Sequence, residues 1–228
     1  MNEEAHKQKI IRIAVDGPSG AGKSTIARLL AERLGIDYID TGAMYRAIAL
    51  KILRNEIDAV RDSRALNAML SGTSVDFSAG QTLLDGEDVS ERIRTPEVTD
   101  MASRSSALPA VRAKLVALQR EMGARKSVIM DGRDIGTNVF PDAEVKFFMT
   151  ASAEERARRR YTEMLEKGIE ADLTAVFDAI VERDYNDSHR ELNPLSQAED
   201  AILIDTDGKS IEAVTQLMLA KIESVAAF

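Results

Sequence analysis

The sequence contains no cysteine and only two histidines, His6 and His189, in 228 residues. The first absence excludes disulfides and thiolate metal sites. The histidines lie far apart, and neither has a second at ligand spacing. A zinc enzyme is therefore disfavoured, and a cytoplasmic protein is the default. No stretch approaches the roughly 18 uninterrupted apolar residues of a membrane span. The polar start MNEEAHKQK leads straight into an apolar strand and does not read as a signal peptide. Positive charge is also short. With 30 Lys and Arg against 38 Asp and Glu, the net charge is −8, which argues against a general affinity for nucleic acid. A small phosphorylated ligand needs only a local cluster of arginines, so function has to be read from where the charges sit. The remainder, 44% hydrophobic and 30% charged, suffices for one sizeable core carrying a smaller insertion.

Apolar runs at Ile10–Val15, Tyr38–Ile39, Val128–Met130, Val145–Met149 and Ala201–Ile204 read as buried parallel strands. Segments of helical period alternate with them, which predicts an α/β fold with a parallel sheet. The helix after the first run carries Ile26, Leu30 and Leu34 on one stripe and stops at Gly35. Another opens at Pro109 and buries Val111, Leu115, Leu118 and Met122. Between about Gly72 and Thr95 the rhythm changes to short runs separated by Ala79-Gly80 and Asp85-Gly86, which predict tight turns of an antiparallel meander. Pattern alone leaves open whether this insert is an accessory lobe or a surface elaboration.

Residues 17–24 read GPSGAGKS, directly after IIRIAVD and before TIARLL. This is G-x-x-x-x-G-K-[ST] in the strand–loop–helix context it requires. Gly17, Gly20 and Gly22 allow the tight turn, and the loop amides face inward with the positive end of the helix dipole. Pro18, Ser19 and Ala21 complete the loop, and Thr25 follows it. Lys23 places a charge between the β- and γ-phosphates, and the Ser24 hydroxyl is a candidate Mg²⁺ ligand. The motif identifies a nucleoside triphosphate site and is silent on the acceptor.

Four further segments carry candidate acceptor chemistry. In DTGAMYRA, residues 40–47, Thr41 and Gly42 look like a helix N-terminus that sets Tyr45 and Arg46 in the first turns. Arg46 then suits a second phosphate, although a solvated arginine fits the same pattern. VIMDGRDIG, residues 128–136, runs from an apolar strand into charge, where ligands of open α/β sheets bind. There Asp131 is a candidate Mg²⁺ ligand through water. Arg133 has a fork for phosphate oxygens. Asp134, acceptor-only when ionised, suits an exocyclic amine such as cytosine N4. In RDYNDSHR, Arg183, Asp187 and Arg190 share one face if the segment is helical, as a ligand face or an exposed ion-pair ladder. In EERARRRY, Arg156 and Arg160 share a face, as a lid over ATP or as a solvated charged helix.

These strings resemble the bacterial cytidylate kinases, within the nucleoside monophosphate kinases. The similarity runs nearly the whole chain through VDGPSGAGKST, YIDTGAMYRA, LPAVRAKLVALQR, VIMDGRDIGTNVFPDAEVKFF, TASAEERARRRY, RDYNDS and IDTDGKSIEAV. It implies a P-loop NTPase-type five-stranded parallel sheet flanked by helices. A monophosphate-binding lobe would hold the antiparallel insert, beside a short lid. The expected organisation is one kinase unit over 1–228: core at about 10–71, 96–150 and 175–228, insert at about 72–95, lid at about 153–172. By the same resemblance cytosine recognition falls on Ser103, Arg112 and Asp134, and monophosphate and ribose contacts on Thr41, Arg46, Arg133, Arg183, Asp187 and Arg190. The sequence departs from the family pattern at Asn193, where serine is expected, and at Asn138, where an apolar residue is commoner. Neither departure is expected to touch those contacts.

The implied reaction is in-line transfer from MgATP to an α-phosphate oxygen of CMP or dCMP. That oxygen is already ionised near neutral pH, so no general base is needed, consistent with the lack of a Ser-His or Cys-His pairing. Catalysis would rest on Lys23, Mg²⁺ and Arg133, Arg183, Arg156 and Arg160. A monomer with no membrane or nucleic-acid partner is expected. The competing readings are a shikimate-type or uridylate-type kinase, a nucleotide-gated switch protein, and an enzyme that modifies nucleic acid.

Overall fold

The computed structural model describes residues 10–59, 63–78 and 80–225. Strand β1 (Arg12–Asp16) passes through the glycine loop into helix α1 (Lys23–Leu34), and β2 (Asp37–Asp40) runs directly into α2 (Thr41–Arg54). Helix α3 (Ser63–Ser71) precedes the short strands β3 (Val75–Ser78), β4 (Gln81–Leu84) and β5 (Glu87–Asp88). Helices α4 (Pro96–Ser105) and α5 (Pro109–Arg125) lead back to β6 (Val128–Gly132). Then come β7 (Val145–Thr150), α6 (Ala153–Glu166), α7 (Leu173–His189), β8 (Ile202–Asp205) and α8 (Ile211–Val225).

The main sheet has the order β2-β6-β1-β7-β8, all pairings parallel. β1 sits at its centre, and helices cover both faces, so its side chains need no polar alternation. Ile13 and Val15 pack with Ile26 and Leu30 of α1 and with Val214, Met218 and Ile222 of α8. Ala14, pointing the other way, joins Met44, Ile48 and Ile52 of α2 and Val111 and Leu115 of α5. Gly35 takes the left-handed conformation (φ 64°) that ends α1, as its position predicts.

The insert is an antiparallel sheet in the order β3-β4-β5. Leu84 pairs with Glu87 across Asp85-Gly86, both at positive φ (52° and 84°), the geometry of a two-residue hairpin turn. Of the other expected turn, Gly80 has φ 79°, while Ala79 lies outside the described residues, as does His6. Val75, Leu84 and Val89 join the same core as α2 and α4. On the surface Lys51 pairs with Asp85, and Arg54 holds Glu87 at 2.7 and 3.1 Å. The insert therefore rests on the outer half of α2, whose second turn carries Arg46. Among the described residues no helix is long and apolar enough to cross a membrane.

Candidate active site

The parallel strands all end at one edge of the sheet, and each end delivers a polar group there. After β1 the chain turns at Gly17 (φ 144°), where a Cβ would lie 1.9 Å from the Met149 carbonyl oxygen. Only glycine fits between the loop and the end of β7. Gly20 and Gly22 also have positive φ (81° and 89°), and Gly22 caps α1 with no side-chain hydrogen bond. The first amides of α1 thus face the loop, an anion cradle. Lys23 is buried, and its Nζ donates to the Pro18 carbonyl at 2.7 Å. Burial, together with the charges of Arg133 and Arg183, lowers its pKa to about 7, against the pull of Asp131 and Asp16.

Asp131 lies one residue before the end of β6, beside this loop. Its carboxylate accepts from Ser24 Oγ at 2.7 Å and from the Tyr38 hydroxyl at 2.8 Å, and its backbone carbonyl accepts from Thr41 Oγ1 at 2.6 Å. Burial and the neighbouring Asp40 hold the Asp131 carboxyl above the usual range. Asp40 is the N-cap of α2: it accepts from the Ala43 amide at 2.8 Å and from Arg46 Nη2 at 3.2 Å, which aims Arg46 back towards the strand ends. Helix α2 begins at Thr41, where the sequence placed a helix N-terminus.

Arginines converge opposite the loop. Arg133 Nε donates to Asp187 at 2.7 Å. Arg183 lies nearby with no ion pair among the described residues, and burial and Arg133 lower its pKa to about 10. Arg112 and Arg190 both donate to Asp134, the latter at 3.0 Å. The Nε atoms of Arg46, Arg112 and Arg183 are buried without a hydrogen-bond partner among the described residues, donors suited to an anionic ligand. The guanidinium of Arg112 also lies over the Tyr45 ring, 6.0 Å from its centroid. The face carrying Arg183, Asp187 and Arg190 is thus turned inward. It is no exposed ladder.

Ser103 and Arg156 stand apart from this convergence. Ser103 is exposed on α4, and its carbonyl accepts from Ser106 Oγ at 2.7 Å. Arg156 is only 4% exposed. Its guanidinium donates to both oxygens of Asp184 at 3.0 and 2.6 Å, to the Ser19 carbonyl at 3.1 Å and to the Ala151 carbonyl at 3.0 Å. Arg160, one helical turn on, is exposed and 3.8 Å from Glu163. Thr25 is exposed on the first turn of α1.

One expectation is corrected. Both departures from the family pattern touch the site: Asn138 Nδ2 donates to Asp134 Oδ2 at 3.0 Å, and the Asn193 carbonyl accepts from Arg190 Nε at 2.7 Å. Sequence reasoning also passed over Asp16, Tyr38 and Asp40. The buried Asp16 carboxylate accepts from the amides of Ile135 and Gly136 at 2.8 and 2.7 Å, tying the first strand end to the Arg133–Asp134 turn. Its signal was present in the sequence: an acid closing an apolar strand that is buried on both faces.

This sheet order, with a glycine loop feeding α1 and a cationic face opposite, defines a P-loop phosphotransferase fold. Solved structures that share it include an uncharacterized protein from Eubacterium ventriosum (TM-score 0.52, 14% identity, 95% of this chain and 99% of that one). Another is shikimate kinase from Acinetobacter baumannii in complex with shikimate (0.50, 16%, 96% and 97%). Residues 13–224 match the cytidylate kinase family, and the chain belongs to that family. Cytidylate kinase of Caldicellulosiruptor saccharolyticus is 54% identical over 215 residues, covering 92% of this chain and 95% of its own. That of Carboxydothermus hydrogenoformans is 50% identical over 213 residues, covering 92% and 96%. Against these, the likeness to shikimate kinase reaches the fold alone.

Proposed function

We propose that the chain transfers the γ-phosphoryl group of ATP to the α-phosphate of CMP and dCMP. The observation that carries this reading is the convergence of two anion-directed groups at one edge of the sheet: the glycine loop with Lys23, and the Arg46, Arg133 and Arg183 group beside an acceptor-only carboxylate, Asp134. Such a pair of groups suits two phosphorylated ligands with their phosphates facing. Family membership supports the base, since Asp134 accepts a hydrogen bond from a cytosine amine and would oppose the uracil carbonyl.

In this reading residues 17–25 hold the triphosphate. Lys23 regains its proton charge against the phosphates and neutralises the transferring group. Ser24 Oγ and the Asp131 carboxylate, 2.7 Å apart, form an all-oxygen pair that fits the Mg²⁺ of MgATP. An ion held there would supply charge neutralisation to the phosphoryl group being transferred. Arg46, Arg133 and Arg183 orient the acceptor phosphate in line, Thr41 and Asp187 position the monophosphate and ribose, and Tyr45, Ser103, Arg112, Asp134 and Arg190 form the base site. The acceptor oxygen is already ionised, so positioning and charge neutralisation suffice. Residues of about 72–95 belong to the acceptor lobe through α2, and about 153–172 form the lid. Arg160, exposed on α6, is the lid arginine free to reach the phosphates. Arg156 acts through the loop carbonyl it holds.

Lys23→Met is expected to lower kcat by on the order of a thousandfold while leaving CMP binding by calorimetry little changed. Coupled ADP release should be strong with CMP and dCMP and weak with UMP, AMP, GMP and shikimate. Shikimate as the preferred acceptor, or full activity of the Lys23 variant, would overturn the reading.

A further inference from the structure

We propose that Asn138 is a specificity-determining positioning residue, which holds the Asp134 carboxylate so that one lone pair on Oδ1 is left for the amine of the base. The inference rests on the reading that Asp134 meets that amine. Residues Ile135–Val139 form a π-helical turn, in which the amides of Asn138 and Val139 both bond the Asp134 carbonyl, at 3.0 and 3.1 Å. The wide turn brings the Asn138 side chain back over Asp134, where Nδ2 donates to Oδ2 at 3.0 Å.

A carboxylate offers about four lone-pair sites, two on each oxygen. On Oδ2, Arg112 Nη2 and Asn138 Nδ2 occupy both. On Oδ1, Arg190 Nη2 occupies one at 3.0 Å. A single acceptor position remains, on the oxygen that Asn138 does not touch. Two donors on one oxygen also fix the rotation of the carboxylate, because turning it would strand a donor at a buried site. The turn is held at both ends. Asp16 takes its leading amides (Ile135 and Gly136), and from α5 Arg120 donates to the Asn138 carbonyl at 2.7 Å and to the Val139 carbonyl at 3.2 Å. An apolar residue at 138 would leave Oδ2 with Arg112 alone and free the carboxylate to turn. Aspartate there would set a second negative charge against Asp134.

The test is steady-state kinetics with CMP and UMP for the wild type, Asn138→Leu, Asn138→Ala, Asn138→Asp and Asp134→Ala, with Tm measured for each. Asn138→Leu and Asn138→Ala should lower kcat/KM for CMP roughly three- to tenfold through KM, the scale of one weakened charge-assisted hydrogen bond. UMP kinetics, KM for ATP and Tm should move little, and Asn138→Asp should lose more CMP activity than either. An unchanged CMP/UMP ratio in the leucine and alanine variants, with that ratio collapsed in Asp134→Ala, overturns the role of Asn138 and leaves the Asp134 reading intact. An unchanged ratio in Asp134→Ala overturns both. Equal losses with CMP, UMP and ATP accompanied by a fall in Tm would show a purely structural residue and overturn the proposal.

Discussion

Asp16 carries its charge where charge is least welcome, at the end of the central strand. Burial pushes its carboxyl up to about 6, while the amides of Gly136 and Ile135 favour the ionised form. Each carboxylate oxygen takes one amide, at 2.8 and 2.7 Å. Asparagine at this position has one acceptor oxygen and would turn an N–H₂ group against the other amide. Asp16→Asn should therefore loosen the turn that carries Arg133 and Asp134. The loss of one buried hydrogen bond to a charged group is worth about 1.5–3 kcal/mol, so KM for CMP should rise on the order of tenfold or more, and by more than KM for ATP. Kinetics with each substrate varied in turn decides this. A rise confined to ATP would show that Asp16 serves the phosphate loop instead.

At the scale of elements, α6 and α7 are joined to the phosphate loop by one side chain. Arg156 of α6 grips Asp184 of α7 with both nitrogens and reaches the Ser19 carbonyl at 3.1 Å. Asp184 directly follows Arg183, so the same strut sets the register of Arg183 against the glycine loop. Asp184→Ala would leave a buried guanidinium unpaired, a loss on the order of 3 kcal/mol, and should raise KM for both substrates. Urea unfolding and two-substrate kinetics check it together, and a stability loss without any change in KM would reduce the strut to packing. None of this was legible in EERARRRY. Arg156 and Arg160 share a helical face by spacing, yet one is buried and the other exposed. The difference comes from where α7 and the loop dock, a tertiary contact that helical period does not encode. GPSGAGKS was legible because its chemistry is local, a turn and a helix start within eight consecutive residues. The face of Arg183, Asp187 and Arg190 was legible as a spacing, though its inward orientation was not. Arg112 reached the site through family resemblance, and Asn138, named as a departure from the family pattern, was expected to stand clear of the contacts because nothing in the residue types of 134–139 marks the turn that brings it over Asp134.

Across the whole molecule, carboxylates tie segments that are distant in the chain. Hydrogen bonds and charge from arginine hold Glu87 and Glu212 low, the latter after its Gln216 bond, and lysine does the same for Asp200. For Glu144 and Asp187 burial works upward, but Arg12 and Arg133 outweigh it and both sit below the ordinary range. A carboxyl whose folded pKa is depressed contributes stability that is present above its unfolded value and is lost as pH falls through the folded one. Asp16 has the opposite sign: its pKa is raised from 3.8 to about 6, so its contribution is present below the lower value and lost as pH rises through the higher. The depressed groups are the more numerous, and the net charge of −8 reverses sign as they protonate. Urea midpoints measured from pH 8 to pH 3 should therefore fall steeply below about pH 4. Asp187→Asn, which removes one depressed carboxyl, should flatten that limb. Asp16→Asn should do something different: its stability relative to the wild type should improve as pH rises from 4 to 6, where only the wild type has a buried acid at position 16 to ionise. A constant difference between Asp16→Asn and wild type across that window would mean that the Asp16 carboxyl is not raised in the folded protein, and that its amide partners balance its burial fully.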